Sequence, residues 1–363
     1  MTKLHALLRA SFAPLLTALA TALACHGAAA QVPYKIVTAS ERGTYIQIGR
    51  DLATFVAPDA GVALEVLPSA GSADNVRRLR YEAGVKFALV QSDVYQAYID
   101  QASSGNAEAR QLLRPLRLIL PLYNEEIYFV VRADSPLQYV HQIRDVRLNV
   151  GPLLSGTAMT ATTLYRQMFG TASPEASTSF LNNEEALVKL TGDKSVDVVV
   201  IVAGQPAKLL ADMKPEARQL VKLLRFDATN AASKAALDTY VNATVRAASY
   251  PNLLAEDLPG LAVQAYLVTY DYNREGTIGT MTRFARSLCQ NFPTLQAKGH
   301  PKWREVQLAL PALKTGWSYY PPMQRELARC IAAAPAPAAA AAPPRASTGK
   351  ACSQQERVLG LCS

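Results

Sequence analysis

Three short runs of small and hydroxyl-bearing residues stand before helical patterns: Gly43-Thr44-Tyr45, Gly71-Ser72 and Ser155-Gly156-Thr157. A helix N-terminus presents unsatisfied backbone N–H groups and a partial positive charge, which suits a carboxylate. Glycine lets a ligand approach the backbone, and Ser and Thr add hydroxyl donors. The same residues are ordinary N-caps, so one such loop alone carries little weight. Three of them on matching edges point to binding. Around them stand Ser40, Arg42, Asn75, Gln91, Asp93, Gly204 and Gln205. Arg42 is the nearest cation for an acidic ligand. Tyr45 offers a stacking ring or a core side chain. Asn75 also suits a turn that stabilises its own loop, and Gln91 and Asp93 suit the cap of the helix after them.

Residues for covalent or metal chemistry are sparse. Beyond residue 30 the histidines are His141 and His300, and neither has a second histidine or cysteine three or four residues away. His300, in "GHPKW", reads as a surface or packing histidine. "HEXXH" and "GXSXG" are absent. Ser155 is the best candidate nucleophile, but a base would have to come from a histidine remote in sequence. "GSADNV" lacks the lysine of a P-loop and the three glycines of a dinucleotide fingerprint. The expectation is a binding protein, not an enzyme, with no catalytic residue, no metal and no cofactor.

The elements that position these loops repeat one grammar. "YKIVTA" is a strand, and "TYIQIGRDLATFVA" a helix with Tyr45, Ile48, Leu52 and Phe55 on one face. "VALEVL" is the next strand, followed by a helix over 74–83 and the buried strand "VKFALV", which ends in "QSD". The second unit begins near Val146 with the strand "VRLNVG" and the loop "PLLSGT". Its helix turns Ala161, Leu164, Tyr165 and Met168 inward. After the strand "STSFL", Asn182 caps a helix with Glu185 in capping-box position and Gly192 at its end. "VDVVVIV" is a buried strand ending in "AGQP", where Pro206 suits a first helical turn. Alternating strands and helices imply parallel sheets covered on both faces, with sites beyond the carboxyl ends of the strands. "LRLILPL" and "EIYFVVRA" read as two strands between the halves, and "LAVQAYLVTY" as a returning strand. Helices follow over 271–290 and 322–330.

The chain has 363 residues and a net charge of +8, its charges scattered with no Lys/Arg block interleaved with aromatics. That argues against nucleic acid as a partner. Residues 1–30 carry Lys3, Arg9, an apolar run and "AAAQ", the pattern of a secretory signal cut after Ala30. A lipid anchor at Cys25 is a minor alternative. Removing Lys3 and Arg9 leaves 35 basic against 29 acidic side chains, or +6. Cys289, Cys330, Cys352 and Cys362 then remain, an even number that suggests two disulfides in an oxidising compartment. Pairing Cys289 with Cys330 and Cys352 with Cys362 is preferred, because an Ala/Pro linker separates the tail from the core. Two other connectivities stay open. The expected layout is a signal peptide at 1–30, a first lobe at 31–131 and 256–330, a second at 132–255, a linker at 331–351 and a Cys-flanked tail at 352–363.

The ordered set "TASERGTYIQIGRDLA", "PSAGSADNVRRLRYEAGVKFALVQSDVYQAY", "LNVGPLLSGTAMTATTLY" and "VDVVVIVAGQPA" resembles the TAXI solute-binding proteins of tripartite ATP-independent periplasmic (TRAP) transporters. The likeness runs from about Tyr34 to Tyr320. It implies a two-lobed α/β periplasmic-binding-protein fold (type II-like) with a ligand cleft between lobes joined by crossing strands. It also implies capture of a small carboxylate or amino acid, glutamate-like or dicarboxylate, for a TRAP permease. The family's first turn falls on 40–45, its Gly-Ser-x-x-Asn turn on 71–75, its Gln-Ser-Asp on 91–93 and its Ser-Gly-Thr on 155–157. The chain departs from the pattern at Glu41 and Arg42, at "KTGWSYYPP" around Gly316 and Trp317, and in its tail. The expected protein is a periplasmic monomer. A stand-alone ligand sensor or envelope-associated binding protein of the same fold is the alternative, and a permease or sensor-kinase gene beside this one would discriminate them.

Overall fold

The structure is a computed structural model that describes residues 31–333. The expected leader with Cys25, most of the linker, and the tail with Cys352 and Cys362 lie outside the described residues. The first unit runs β1 (Val32–Val37), α1 (Thr44–Phe55), β2 (Val62–Leu67), α2 (Ser72–Tyr81), β3 (Val85–Gln91), α3 (Ser92–Ser103) and α4 (Ala107–Leu113). A long strand, β4 (Leu116–Arg132), leads out of it. The second unit contains β5 (Leu148–Asn149), α5 (Gly156–Phe169), β6 (Thr178–Ser179), α6 (Asn183–Thr191), β7 (Val198–Ala203), α7 (Lys208–Ala211), β8 (Val221–Leu223), α8 (Ala231–Ala236) and β9 (Val241–Val245). The chain returns through β10 (Leu258–Tyr270) and ends in α9 (Glu275–Gln290), α10 (Phe292–Lys298) and α11 (Pro321–Ala333).

The strands join in the order β2-β1-β3-β10-β4-β7-β5-β6, with β8 on β4 and β9 on β10. Within each unit the strands pair in parallel, β1 with β2 and β3, and β5 with β6 and β7. The crossing strands β4 and β10 are antiparallel to each other and to their flanking neighbours. The fold is therefore a two-lobed α/β architecture joined by crossing strands. Each lobe has apolar cores on both faces of its sheet, as the hydrophobic runs and helix stripes require. Ile36, Phe87, Leu120, Phe284 and Trp303 sit in one core of the first lobe, and Val76, Val90, Leu118 and Trp317 in the other. Val150, Leu164, Val198 and Tyr240 fill one core of the second lobe, and Val130, Leu190, Ile201 and Tyr250 the other.

Several boundaries differ from the sequence expectation. The two strands expected around Pro121 are one strand, β4. Its Pro121 lies N-terminal to the stretch paired with β7, which begins at Glu126, so no neighbour on that side asks for its missing N–H. The β10 register shifts between Gln264 and Tyr266, opposite this place. Helix α2 starts two residues earlier than expected, and α9 starts at Glu275. Pro206 does not open a helix. It precedes the N-cap of α7, Ala207, and is joined to Gln205 by a cis peptide bond. Trp317, in the segment that departs from the resembled pattern, packs on Tyr95 and Tyr266.

Candidate functional site

A cavity of about 110 Å³ lies between the lobes. The first lobe contributes Ser40, Arg42, Gly43, Thr44 and Tyr45 before and at the start of α1, Gly71 and Ser72 at the start of α2, and Gln91 at the end of β3. The second lobe contributes Ser155, Gly156 and Thr157 at the start of α5, and residues 182–184 at the start of α6. Four helix N-termini thus converge on one space. Gly43 and Gly71 are N-caps without a side-chain cap, whereas Ser155 and Asn182 accept from Ala158 N and Glu185 N. The predicted roles of these loops as helix starts are met.

Two glycines are required by the way the lobes meet. Gly71 has φ +127°, a backbone that other residues rarely adopt, and a side chain there would press on Gly156 N and Ser155 of the other lobe. At Gly156 a Cβ would overlap Gln91 Oε1 and lie 2.8 Å from Ser72 Oγ. The lobes are in direct contact around the cavity. Thr44 Oγ1 donates to Gly204 O at 2.8 Å, Asp74 N to Leu154 O at 3.1 Å, and Arg42 pairs with Asp212 at 3.3 Å. Leu154 presents that carbonyl from a left-handed conformation, φ 64°.

The structure does not bring Asn75, Asp93, Gly204 or Gln205 to the cavity lining. Asn75 is fully buried, and its Nδ2 donates to Thr38 O at 2.6 Å and Leu89 O at 2.7 Å while Oδ1 accepts from Ser69 Oγ at 2.6 Å. It ties β1, β3 and the β2–α2 loop together, which uses up its polar atoms. Asp93 accepts from Thr160 Oγ1 at 2.6 Å and Tyr240 Oη at 3.1 Å, so it is a buried strut between lobes. Burial pushes its carboxyl above the usual range, and those two hydroxyls oppose the shift. Gln205 donates to both oxygens of Glu126 and to Thr244 O, and accepts from Arg246 N. Gly204 contributes its carbonyl to Thr44, and a side chain on it would press on Tyr123 and Lys302. Arg42 does line the cavity, but its guanidinium is spent on Asp212 across the interface.

Among the lining residues that escaped the sequence reading are Glu125 and Asn183. Glu125 sits on β4 where the strand passes from one lobe to the other, 3 % exposed, and its Oε2 has no partner. Tyr45 Oη and Asn183 Oδ1 are also buried without partners. Burial pushes the Glu125 carboxyl up to about 8, with nearby Tyr45 and Gln91 opposing the shift. Its neighbour Glu126 faces elsewhere and has counter-charge: Lys302 Nζ, wholly buried, donates to Glu126 Oε1 at 2.7 Å and to Glu305 Oε2 at 2.6 Å. The available signal was a pair of carboxylates inside an apolar crossing strand, "NEEIYFVV", where a charge needs a reason. His300 accepts from Lys302 N through Nδ1 and is lowered to about 4, chiefly by burial. It holds a loop and stands outside the cavity lining. Among the described residues no cluster of His, Cys, Asp and Glu could hold a metal, and no helix is long and apolar enough to cross a membrane.

The profile of the NMT1-like family matches residues 36–315. The chain belongs to that family. The matched span of the NMT1-like chain covers every residue that lines the cavity. The chain is also similar to solved structures at low identity. The periplasmic binding protein BugD is 11 % identical over 83 % of this chain and 94 % of that one, with a TM-score of 0.48. The arginine-, lysine-, histidine-binding protein ArtJ of Geobacillus stearothermophilus is 12 % identical over 78 % and 97 %, with a TM-score of 0.43. A binding protein component of an ABC phosphonate transporter from Pseudomonas aeruginosa is 11 % identical over 83 % and 97 %, with a TM-score of 0.44.

Proposed function

We propose that this NMT1-like chain is an extracytoplasmic solute receptor. It encloses one small carboxylate or amino acid between its lobes and delivers it to a membrane permease, of TRAP type as the TAXI resemblance implies. The observation that carries this reading is the cavity onto which helix N-termini of both lobes converge, α1 and α2 from one side and α5 and α6 from the other. Asp74 N, Ala158 N and Glu185 N are spent on Leu154 O, Ser155 Oγ and Asn182 Oδ1, and the other N–H groups of these first turns suit an anion. A ligand that touches both lobes stabilises their closed arrangement, and the permease reads that arrangement. The binding residues are then Ser40, Gly43, Thr44, Tyr45, Gly71, Ser72, Gln91, Ser155, Gly156 and Thr157, with Arg42 acting as a latch. The two rigid units are 31–131 with 256–330, and 132–255. The protein works in the periplasm as a monomer after losing its leader, and binding needs no cofactor.

Native mass spectrometry of the purified protein, followed by calorimetry with any co-purifying compound, tests this. A small acid bound one to one is the expected result. A thermal-shift screen in which neutral sugars stabilise the protein and acids do not would sink it.

A further inference from the structure

We propose that Glu125, with Tyr45 and Asn183, determines specificity by receiving the protonated amine of a ligand whose anionic group lies at the helix N-termini. This rests on the receptor reading above and deepens it. Three residues that line the cavity carry a buried side-chain oxygen with no well-formed hydrogen bond, Glu125 Oε2, Tyr45 Oη and Asn183 Oδ1, and the Tyr45 hydroxyl stands close enough to Glu125 to act on its carboxyl. Buried polar atoms are rarely left without partners, and a ligand donor in the cavity would satisfy these. They come from three elements, β4, α1 and α6, and from both lobes. A primary ammonium carries three N–H donors and no acceptor. A second carboxylate in the ligand would instead place oxygens against oxygens, with donors available only from the phenol, a protonated Glu125 and a turned Asn183 amide. The helix N-termini supply the opposite chemistry, N–H groups and positive potential, for the ligand's anion. The cavity therefore holds two complementary poles, as a zwitterion does.

The charged and titratable groups around Glu125 support this assignment. Tyr45 faces it from α1, Tyr123 from its own strand, and Glu126 adds repulsion from the next residue. Lys302 is engaged by Glu126 and Glu305, Arg42 on the rim by Asp212, and Glu184 at the start of α6 adds negative charge. Among the described residues Glu125 is thus left without a counter-ion of its own. In the ligand-free cavity burial keeps its proton on up to about pH 8. When the ammonium binds, that proton leaves to solvent and the carboxylate pairs with the ligand.

The test is calorimetry with L-alanine and L-glutamate against propionate and glutarate, the same acids without the amine, in the full mature chain. The amino acids should bind at least tenfold more tightly. Their affinity should rise from pH 6 to pH 8, by up to tenfold for each step of one in pH, with one proton released to buffer. Glu125→Gln should lower amino-acid affinity by about ten- to a hundredfold and remove the pH slope, with far less effect on the deaminated acids. Tyr45→Phe, which keeps the ring, should weaken the same ligands severalfold and covers the case in which the first variant folds poorly. Equal or tighter binding of glutarate and propionate, or an intact preference in Glu125→Gln, overturns the inference while the receptor reading stands. Failure of all four acids to bind overturns both.

Discussion

Asn75 and Ser72 stand three residues apart near the start of α2, but their roles diverge. Ser72 Oγ lines the cavity and accepts from Gln91 N at 3.1 Å, so its removal touches the site. Asn75 binds two backbone carbonyls of different strands from a fully buried position. We expect Asn75→Ala to destabilise the fold by about 2–4 kcal/mol, since two buried acceptors lose their donor. Denaturant unfolding checks this, and an unchanged midpoint would contradict it. The sequence marks both residues as turn and cap types, but which of them faces a ligand depends on where β3 passes beneath the loop. Glu125 shows the same limit. In the sequence it falls between the two expected strands, and only the continuity of β4 across the lobes buries it. Its carboxyl is raised from 4.5 to about 8. The folded, ligand-free chain therefore holds a proton that the unfolded chain has released. Its contribution is complete below pH about 4.5 and fades as pH rises through 8. Each tenfold gain in proton affinity is worth about 1.4 kcal/mol, so the full swing is of the order of 5 kcal/mol. Melting of the ligand-free wild type should fall toward pH 9 relative to Glu125→Gln. Parallel pH profiles for the two proteins would refute that.

The helices and strands were legible where their burial is one-sided or complete. "VALEVL" is β2 residue for residue, and the inward face of α5 contains Ala161, Leu164, Tyr165 and Met168 as its 3.6-residue spacing requires. Asn182 accepts from Glu185 N and Gly192 ends α6, as their types suggest. The misjudged places are those where a distant element decides. Pro121 looked like a break because its tolerance depends on where β7 begins. The short strands β5 and β6 have only two residues each, too few to set their own length. Of the C-terminal helices, α9 and α11 were readable as elements and α10 was not, and the expected Cys289–Cys330 disulfide joins α9 to α11 across a separation of 41 residues. A loop of that size constrains the unfolded chain by roughly 2–4 kcal/mol. Cys330→Ser should lower the unfolding midpoint accordingly and loosen α11, seen as faster amide exchange over 321–333. Ligand affinity should stay within about twofold, because neither cysteine lies at the cavity. A loss of affinity comparable to the loss of stability would show that α11 supports the site.

Closure of the whole molecule depends on backbone-close contact between the starts of α2 and α5. Around that contact the lobes share the Thr44–Gly204 hydrogen bond, the Asp93–Thr160 and Asp93–Tyr240 bonds, and the exposed Arg42–Asp212 pair. The exposed pair contributes little, about 0–1 kcal/mol. The contact at Gly156 is more demanding. A methyl group there meets Gln91 and Ser72, both on the other lobe, so opening the lobes relieves the overlap without disturbing either core. Gly156 is the first residue of α5, and alanine favours a helix more than glycine does. Gly156→Ala should therefore leave the stability of the ligand-free protein unchanged or slightly higher. It should also reduce the closed population, and apparent affinity falls in proportion to that population. The expected outcome is at least a tenfold weaker Kd, with a small-angle scattering radius at sub-saturating ligand nearer that of the open form. Gln91→Ala in the same chain removes the larger obstacle and should recover part of the closed radius. If Gly156→Ala binds and compacts like the wild type, the start of α5 does not approach α2 in the ligand-bound state, and the cavity between them is not where the solute is held.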